Sequence, residues 1–375
     1  MDFNYIVVPA IVVLVLVLVA CGALRRIITL QRGEHFRARR WKEGIILWPV
    51  AFFCIAVAAL AAFNAIALYY YRHPPPGNLY SVNRRLMRLQ CMGQGSPTIV
   101  LDAGGGNDGL TWAGIQPKLA LHTQVCSYDR AGMGWSDPGP SPRDADHVAA
   151  ELHGLLASAH IQTPVVLMGH SMGGLFIRAY ARHYPVEVAG LVFEDSSTPL
   201  QNRQPAYRAF DEPRKGTRFD HLFDEVTLIL GVPRLLGACS GEFDRVKGIN
   251  QRVFYEDRCH EPFQAINAEG EAFDLSGQET VNTGPFGDVP ILVLSHDMTM
   301  DASHGLPQSL IDESEANQNA FLRLSTHSRR VIVKDSGHFV HIDRPDVVER
   351  EVADLLDRIR GNKPDLQPRQ TVVAE

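Results

Sequence analysis

The run Gly169-His170-Ser171-Met172-Gly173 carries the residue types best suited to covalent chemistry in this chain. A serine hydroxyl is a weak nucleophile that a neighbouring base must activate. In the G-x-S-x-G spacing, small residues on both sides let the chain turn sharply from strand to helix, which lifts the hydroxyl clear of the sheet. The following helix brings the positive end of its dipole beside a developing oxyanion. The sequence supplies this context: residues 165–168 read as an apolar strand and 173–184 as a helix. Acyl transfer through Ser171 is the chemistry so implied. The bland alternative is a glycine-rich turn with an ordinary serine.

The base expected for Ser171 is His338, in Asp335-Ser336-Gly337-His338-Phe339 directly after the last strand of the domain. His341 competes, with a plainer reading as a polar residue at the start of the last helix. A third group, a carboxylate, must orient the imidazole and stabilise its cation. Asp195 follows the apolar run 191–193, Asp297 follows 291–294, and Asp301 lies slightly farther on. All three satisfy the chain order serine, acid, histidine. An oxyanion hole needs two backbone N–H donors. One is expected from Met172, the residue after the nucleophile, and the other from Gly105 in Asp102-Ala103-Gly104-Gly105-Gly106-Asn107, the loop after an early strand.

Residues 104–109 also match G-x-G-x-x-G, and Asp129 stands twenty residues beyond Gly109, as in a dinucleotide-binding fingerprint. Against that reading, Pro117 interrupts the helix that should pack there, and Asp129 runs on into a glycine-rich loop, Arg130-Ala131-Gly132-Met133-Gly134. It also leaves Ser171 and His338 without a role. Cys91, Cys126, Cys239 and Cys259 lack paired C-x-x-C spacing, so no zinc site is expected.

Several elements must position these groups. Short apolar runs over 85–91, 98–101, 125–128, 165–168, 190–193, 291–294 and 330–333 read as strands, and 144–159, 173–184, 307–325 and 345–360 as helices. The alternation argues for an α/β class fold, a mostly parallel sheet with helices on both faces, over about 78–360. The more polar stretch from about 198 to 285 breaks the rhythm and is expected to be an inserted cap. The tail 361–375 is polar and proline-containing, and is expected to be disordered.

Residues 6–24 and 45–71 are apolar and free of charge, each longer than the roughly 18 residues that cross a hydrocarbon core. Between them, 25–44 is rich in arginine. The expectation is a two-helix membrane anchor over 1–72, a cytoplasmic basic loop, and a catalytic domain on the extracytoplasmic side. A signal peptide, a lipoprotein site ending at Cys21 and a buried core hairpin are weaker alternatives; the N-terminal flank, for one, holds Asp2 and no basic residue. The net charge of -6 gives no basic stripe for nucleic acid. Of the 6 cysteines, Cys91, Cys126, Cys239 and Cys259 lie in the outward part, open to Cys91–Cys126 and Cys239–Cys259 disulfides or to four reduced thiols.

Taken together, Tyr128-Asp129-Arg130-Ala131-Gly132-Met133-Gly134-Trp135-Ser136, the 169–173 elbow and Ser336-Gly337-His338 resemble the α/β-hydrolase superfamily, in the branch of bacterial esterases and proline-iminopeptidase-like hydrolases. The resemblance covers about 86–360. It implies an eight-stranded sheet, no metal and no cofactor. Many members of that family carry the acid after the penultimate strand in a Gly-x-x-Asp turn. Here the turn reads Ser295-His296-Asp297-Met298-Thr299, and the expected acid position falls near Thr299. A minority place the acid one strand earlier, where this chain has Asp195, so the resemblance favours Asp195 over Asp297. Relatives with epoxide hydrolase or haloalkane dehalogenase activity use an aspartate nucleophile, against which Ser171 argues. The expected function is a membrane-anchored serine hydrolase acting on a small or lipid-like acyl substrate. The alternative is a non-catalytic membrane receptor or interaction protein that keeps the fold.

Overall fold

Among the described residues of the computed structural model, which are 3–32, 37–71, 75–211, 223, 226–227, 230–236, 263–366 and 370–375, nine strands form one sheet. They are β1 (Asn78–Val82), β2 (Arg85–Met92), β3 (Ile99–Asp102), β4 (Val125–Tyr128), β5 (Val165–His170), β6 (Val188–Glu194), β7 (Ile291–Ser295), β8 (Ser328–Val333) and β9 (Gln370–Ala374). Their order is β1-β2-β4-β3-β5-β6-β7-β8-β9. β1 and β2 run antiparallel to their neighbours, and every other pairing is parallel.

The count corrects the eight-stranded expectation. It also corrects the expected disordered tail over 370–374, where β9 pairs in parallel with β8. The tail is polar on average, but Thr371-Val372-Val373 is a β-branched run able to cover an open sheet edge. Composition averaged over the whole tail hides that run.

Side-chain alternation along the strands explains the two core layers. Val100, Leu167, Leu191 and Val293 point to one face. There they meet Val148, Leu152 and Leu155 of α3 (Ala145–Ser158) and Phe176, Ile177 and Tyr180 of α4 (Gly173–His183). Asp144 caps α3, its carboxylate accepting from the His147 N–H at 2.9 Å. Leu101, Val166, Met168, Val192 and Leu292 point to the other face, onto Trp112 and the helix Pro345–Ile359. Each such fully buried Val or Leu contributes roughly 1.5–3 kcal/mol of transfer free energy.

The sheet reverses its strand order at β3, with β4 on one side and β5 on the other. Crevices of open α/β sheets form at such a point, beyond the strand C-termini. The loops after β3, β5, β6, β7 and β8 all lie at that end.

By its internal contacts the chain divides into two units, residues 1–73 with 216–241 and 251–260, and residues 74–215 with 242–250 and 261–375. In the first unit, α1 (Phe3–Arg32) and α2 (Arg37–Tyr71) pack on each other. Ala51, Cys54, Ala58 and Ala61 of α2 are buried and recur at the spacing of one helical face, and Ala20 and Ala23 of α1 are buried too. Trp48, Phe52, Phe53, Ile55, Phe63 and Ile66 are exposed. Among the described residues one stretch, Ile46–Ile66, is long and apolar enough to cross a membrane. Most of 212–262, within the expected cap and including Cys239 and Cys259, lies outside the described residues. Cys91 and Cys126 face each other across β2 and β4 and form a disulfide.

Candidate active site

Ser171 sits at the tip of the turn between β5 and α4 with φ of 50°. That left-handed conformation is unfavourable for a non-glycine residue, and the turn is over-determined by its surroundings. Its N–H continues the β5–β6 ladder by donating to Glu194 O at 3.1 Å, and its carbonyl accepts from Ser197 N–H at 2.8 Å. Close backbone approach dictates the flanking glycines. A Cβ on Gly169 would stand 2.6 Å from Gly173 C, and one on Gly173 would stand 2.6 Å from Asp102 O.

Asp195 follows β6 and is also left-handed, with φ of 40°. Its N–H donates to Leu294 O at 2.7 Å, which pins it to the β6–β7 ladder. Asp195 Oδ2 lies 2.5 Å from His338 Nδ1. The acid is buried and half of the His338 side chain is exposed. With Nδ1 directed at a carboxylate, Nε2 is the nitrogen left for substrate chemistry. Ser171 Oγ and the His338 ring form no hydrogen bond among the described residues, and such contacts are commonly long without substrate.

His170 holds the His338 loop instead. Its Nε2 donates to His338 O at 2.9 Å, and the two rings lie 4.6 Å apart. Burial, together with His338 and His341 nearby, pushes the His170 imidazole well below its ordinary range, so it is neutral.

The other carboxylates have different partners. Asp297 accepts from Thr299 Oγ1 at 2.6 Å and from Lys334 Nζ at 3.2 Å. Asp301 Oδ2 lies 2.7 Å from His296 Nε2. His341 is buried, with Nδ1 2.7 Å from Glu194 Oε1 and Nε2 3.2 Å from Thr111 Oγ1. Its two ring nitrogens are therefore occupied by structural partners.

Gly104 and Gly105 pass against the elbow: a Cβ on Gly104 would come 3.2 Å from Ser171 Cβ, and one on Gly105 would come 3.1 Å from Met172 Sδ. Arg130 fixes this loop. It donates to Ala103 O at 2.7 Å and Gly104 O at 2.8 Å, and is itself paired with Asp102 and Glu269. In a trans peptide the N–H points opposite to the carbonyl. Holding Gly104 O therefore turns the Gly105 N–H away from Arg130. Among the described residues the Gly105 and Met172 amides take no backbone partner. Asp129, the residue of the dinucleotide reading, is buried and accepts from Arg88 Nη1, Gly109 N–H and Trp135 N–H at 2.7, 2.9 and 3.0 Å. It braces the loop at 129–136.

Residues 99–351 match the family model of the alpha/beta hydrolase family. The chain belongs to this family. It is similar to an uncharacterized protein, YbdG, of Bacillus subtilis, at 22% identity over 84% of this chain and 99% of that one. Among solved structures, a thermophilic esterase from Thermogutta terrifontis shares 20% identity with a TM-score of 0.54, covering 76% of this chain and 99% of its own. A membrane phospholipase A shares 19% identity with the same TM-score of 0.54, covering 86% of this chain and 99% of its own. These structural likenesses show a common fold, and the mostly parallel sheet described above is that of an α/β-hydrolase. Within this hydrolase, sequence reasoning singled out Ser171, His338, Asp195, Gly105 and Met172. His296, Glu194 and Glu269 were missed, because only the fold brings them to the strand ends. His296 alone left a trace: it interrupts the turn where the resemblance implies a Gly-x-x-Asp.

Proposed function

We propose that this α/β-hydrolase is a membrane-anchored serine hydrolase that cleaves an ester, or a thioester or amide, through an acyl-enzyme on Ser171. The observation that carries the reading is the 2.5 Å contact of Asp195 with His338 Nδ1, at the end of the sheet that bears Ser171 in its elbow. His338 Nε2 takes the Ser171 proton as Oγ attacks the carbonyl carbon, and Asp195 stabilises the imidazolium. The Gly105 and Met172 N–H groups hold the oxyanion. Collapse of the tetrahedral adduct expels the alcohol, which leaves with the proton from His338. A water deprotonated by His338 then attacks the acyl group and frees Ser171.

Burial favours the acid's task only because of its partners. Desolvation alone would push the Asp195 carboxyl up, but His296 and His338 hold it well below the usual range. It is therefore ionised wherever His338 must act.

Two features support the membrane part. Small residues of α1 and α2 are buried, as in packed membrane helices, while large apolar side chains are exposed on α2. The helices take in most of the expected loop 25–44, and the arginines at the C-terminal end of α1 and the N-terminal end of α2 agree with a cytoplasmic side for those helix ends. A Cys91–Cys126 disulfide suits an oxidising compartment, hence an extracytoplasmic catalytic domain. The inserted region over about 198–285 would then act as the cap that selects the substrate. The esterase and membrane phospholipase A relatives make a lipid-like acyl ester the first class to try.

Ser171→Ala in the full chain is expected to abolish both p-nitrophenyl ester turnover and fluorophosphonate labelling. Labelling of that variant at the wild-type level would sink the assignment, and a wild type that is folded but unlabelled would favour the non-catalytic alternative.

A further inference from the structure

His296 has no part in the triad, yet it touches the same acid. It follows β7, and its side chain is only 10% exposed. Its Nδ1 lies 2.7 Å from Asp195 Oδ1 and its Nε2 lies 2.7 Å from Asp301 Oδ2. Its backbone N–H also donates to Asp195 Oδ1, at 3.3 Å. A neutral imidazole has one N–H donor and one lone pair. Facing a carboxylate oxygen at each nitrogen, a neutral ring would direct that lone pair at oxygen lone pairs. Both contacts are satisfied together when the ring is a cation. The other titratable groups of this corner are His338, on the second oxygen of Asp195, His170 and Tyr207, which also face Asp195, and Glu315 of the helix Gln308–Ala320. Glu315 is already paired in a fork with Arg330 of β8.

We propose that His296 is a permanent imidazolium and a positioning residue for the hydrolytic reaction: clamped between Asp195 and Asp301, it fixes Asp195 so that Oδ2 alone is offered to His338. This rests on the triad reading above. Two carboxylates and one cation present a net single negative charge to His338, where two unscreened carboxylates would present a double one. Asp301 therefore acts on the base through His296, without touching it. The direction of the His296 ionisation agrees: burial would lower it, but Asp195 and Asp301 raise it to about 10.

Two measurements on the full chain in detergent micelles test this. In the first, histidine ring nitrogens are labelled and followed by NMR at pH 8, with His296→Gln identifying the His296 signals. Two protonated nitrogens at that pH are expected. A single protonated nitrogen overturns the proposal, whether or not the protein hydrolyses anything. In the second, the acid limb of kcat/KM for a p-nitrophenyl ester is followed in two variants. His296→Gln removes a cation beside Asp195 and is expected to move the limb up by about one pH unit, the scale for one charge at an effective dielectric of about 20. Asp301→Asn removes an anion and is expected to move it down. Shifts of the same sign, or none in either variant, would mean that His296 only fills space. Absent wild-type labelling by fluorophosphonate would instead refute the Ser171 reading, leaving the first measurement to decide the charge of His296.

Discussion

Replacing Asp195 by asparagine separates orientation from charge at the base. The new amide must choose which end carries its NH2. At Oδ1 it would face two N–H donors, the His296 backbone at 3.3 Å and His296 Nδ1 at 2.7 Å. At Oδ2 it faces His338 Nδ1 at 2.5 Å, and that nitrogen can accept if the ring moves its proton to Nε2. The second choice clashes with nothing, so the amide settles there. His338 then presents an N–H towards Ser171, where a lone pair is needed. The expected loss in kcat/KM is roughly 10³–10⁴-fold, about 4–5.5 kcal/mol of transition-state stabilisation. Asp297→Asn is the control, because Asp297 is tied to Thr299 and Lys334 and should cost less than about threefold. Turnover of p-nitrophenyl butyrate by the micelle-bound full chain, with near-UV circular dichroism to confirm folding, provides the assay. Retention of more than a tenth of wild-type kcat/KM by Asp195→Asn would remove Asp195 from the triad, as would a larger loss in Asp297→Asn. A neutral His296 with its proton on Nε2 would spare His338 in part, so the size of the loss also bears on the charge of that ring.

Other outcomes follow from the same geometry. Gly173→Ala sets a methyl 2.6 Å from Asp102 O and 2.8 Å from Ala103 O, both immobile backbone, and should lower stability by about 2–3 kcal/mol in thermal melts. Gly270→Ala, with nothing within 4 Å, should raise it by about 0.5–1 kcal/mol; equal effects at the two sites would count against the close-packed elbow. The His296 value in the fold, about 10, stands above the ordinary 6.5, so its contribution to stability is complete below pH 6.5 and is lost as pH rises through about 10. Unfolding followed from pH 6 to 10 should show a decline that His296→Gln flattens. Removing the Cys91–Cys126 crosslink, which spans 35 residues, should cost about 3–4 kcal/mol, seen as a lower melting temperature under reduction or in the double serine variant. An unchanged melting temperature would show the bond to be dispensable.

Local pattern carried most of the fold. The strand and helix either side of Ser171, and the capped helix Ala145–Ser158, were legible because their apolar residues repeat at the period of the element they form. β1 was not, since its burial is mixed and its partner is fixed by a hairpin at Asn83 and Arg84, both with positive φ. β9 was hidden in a polar tail, because its pairing with β8 is long-range. The site divides in the same way. Ser171 and His338 sit in local motifs, whereas three aspartates fitted the chain order and only the convergence of the loops after β6 and β8, across the end of β7, brings one of them to His338. Partnerships such as Arg130 with Glu269, 139 residues apart, leave no local signature at all.

His296 fills the strand end at which, by the resemblance to the family, many members keep their acid. In evolutionary terms this makes the present arrangement hard to leave. If Asp195 is lost first, a buried imidazolium loses one of its two anions. If His296 is lost first, Asp195 and Asp301 are left without the cation between them. Either first step exposes an unbalanced buried charge, a penalty of about 3–5 kcal/mol against a total margin of about 5–15. On the proposed triad, descendants of this chain should therefore change substrate long before they relocate their acid.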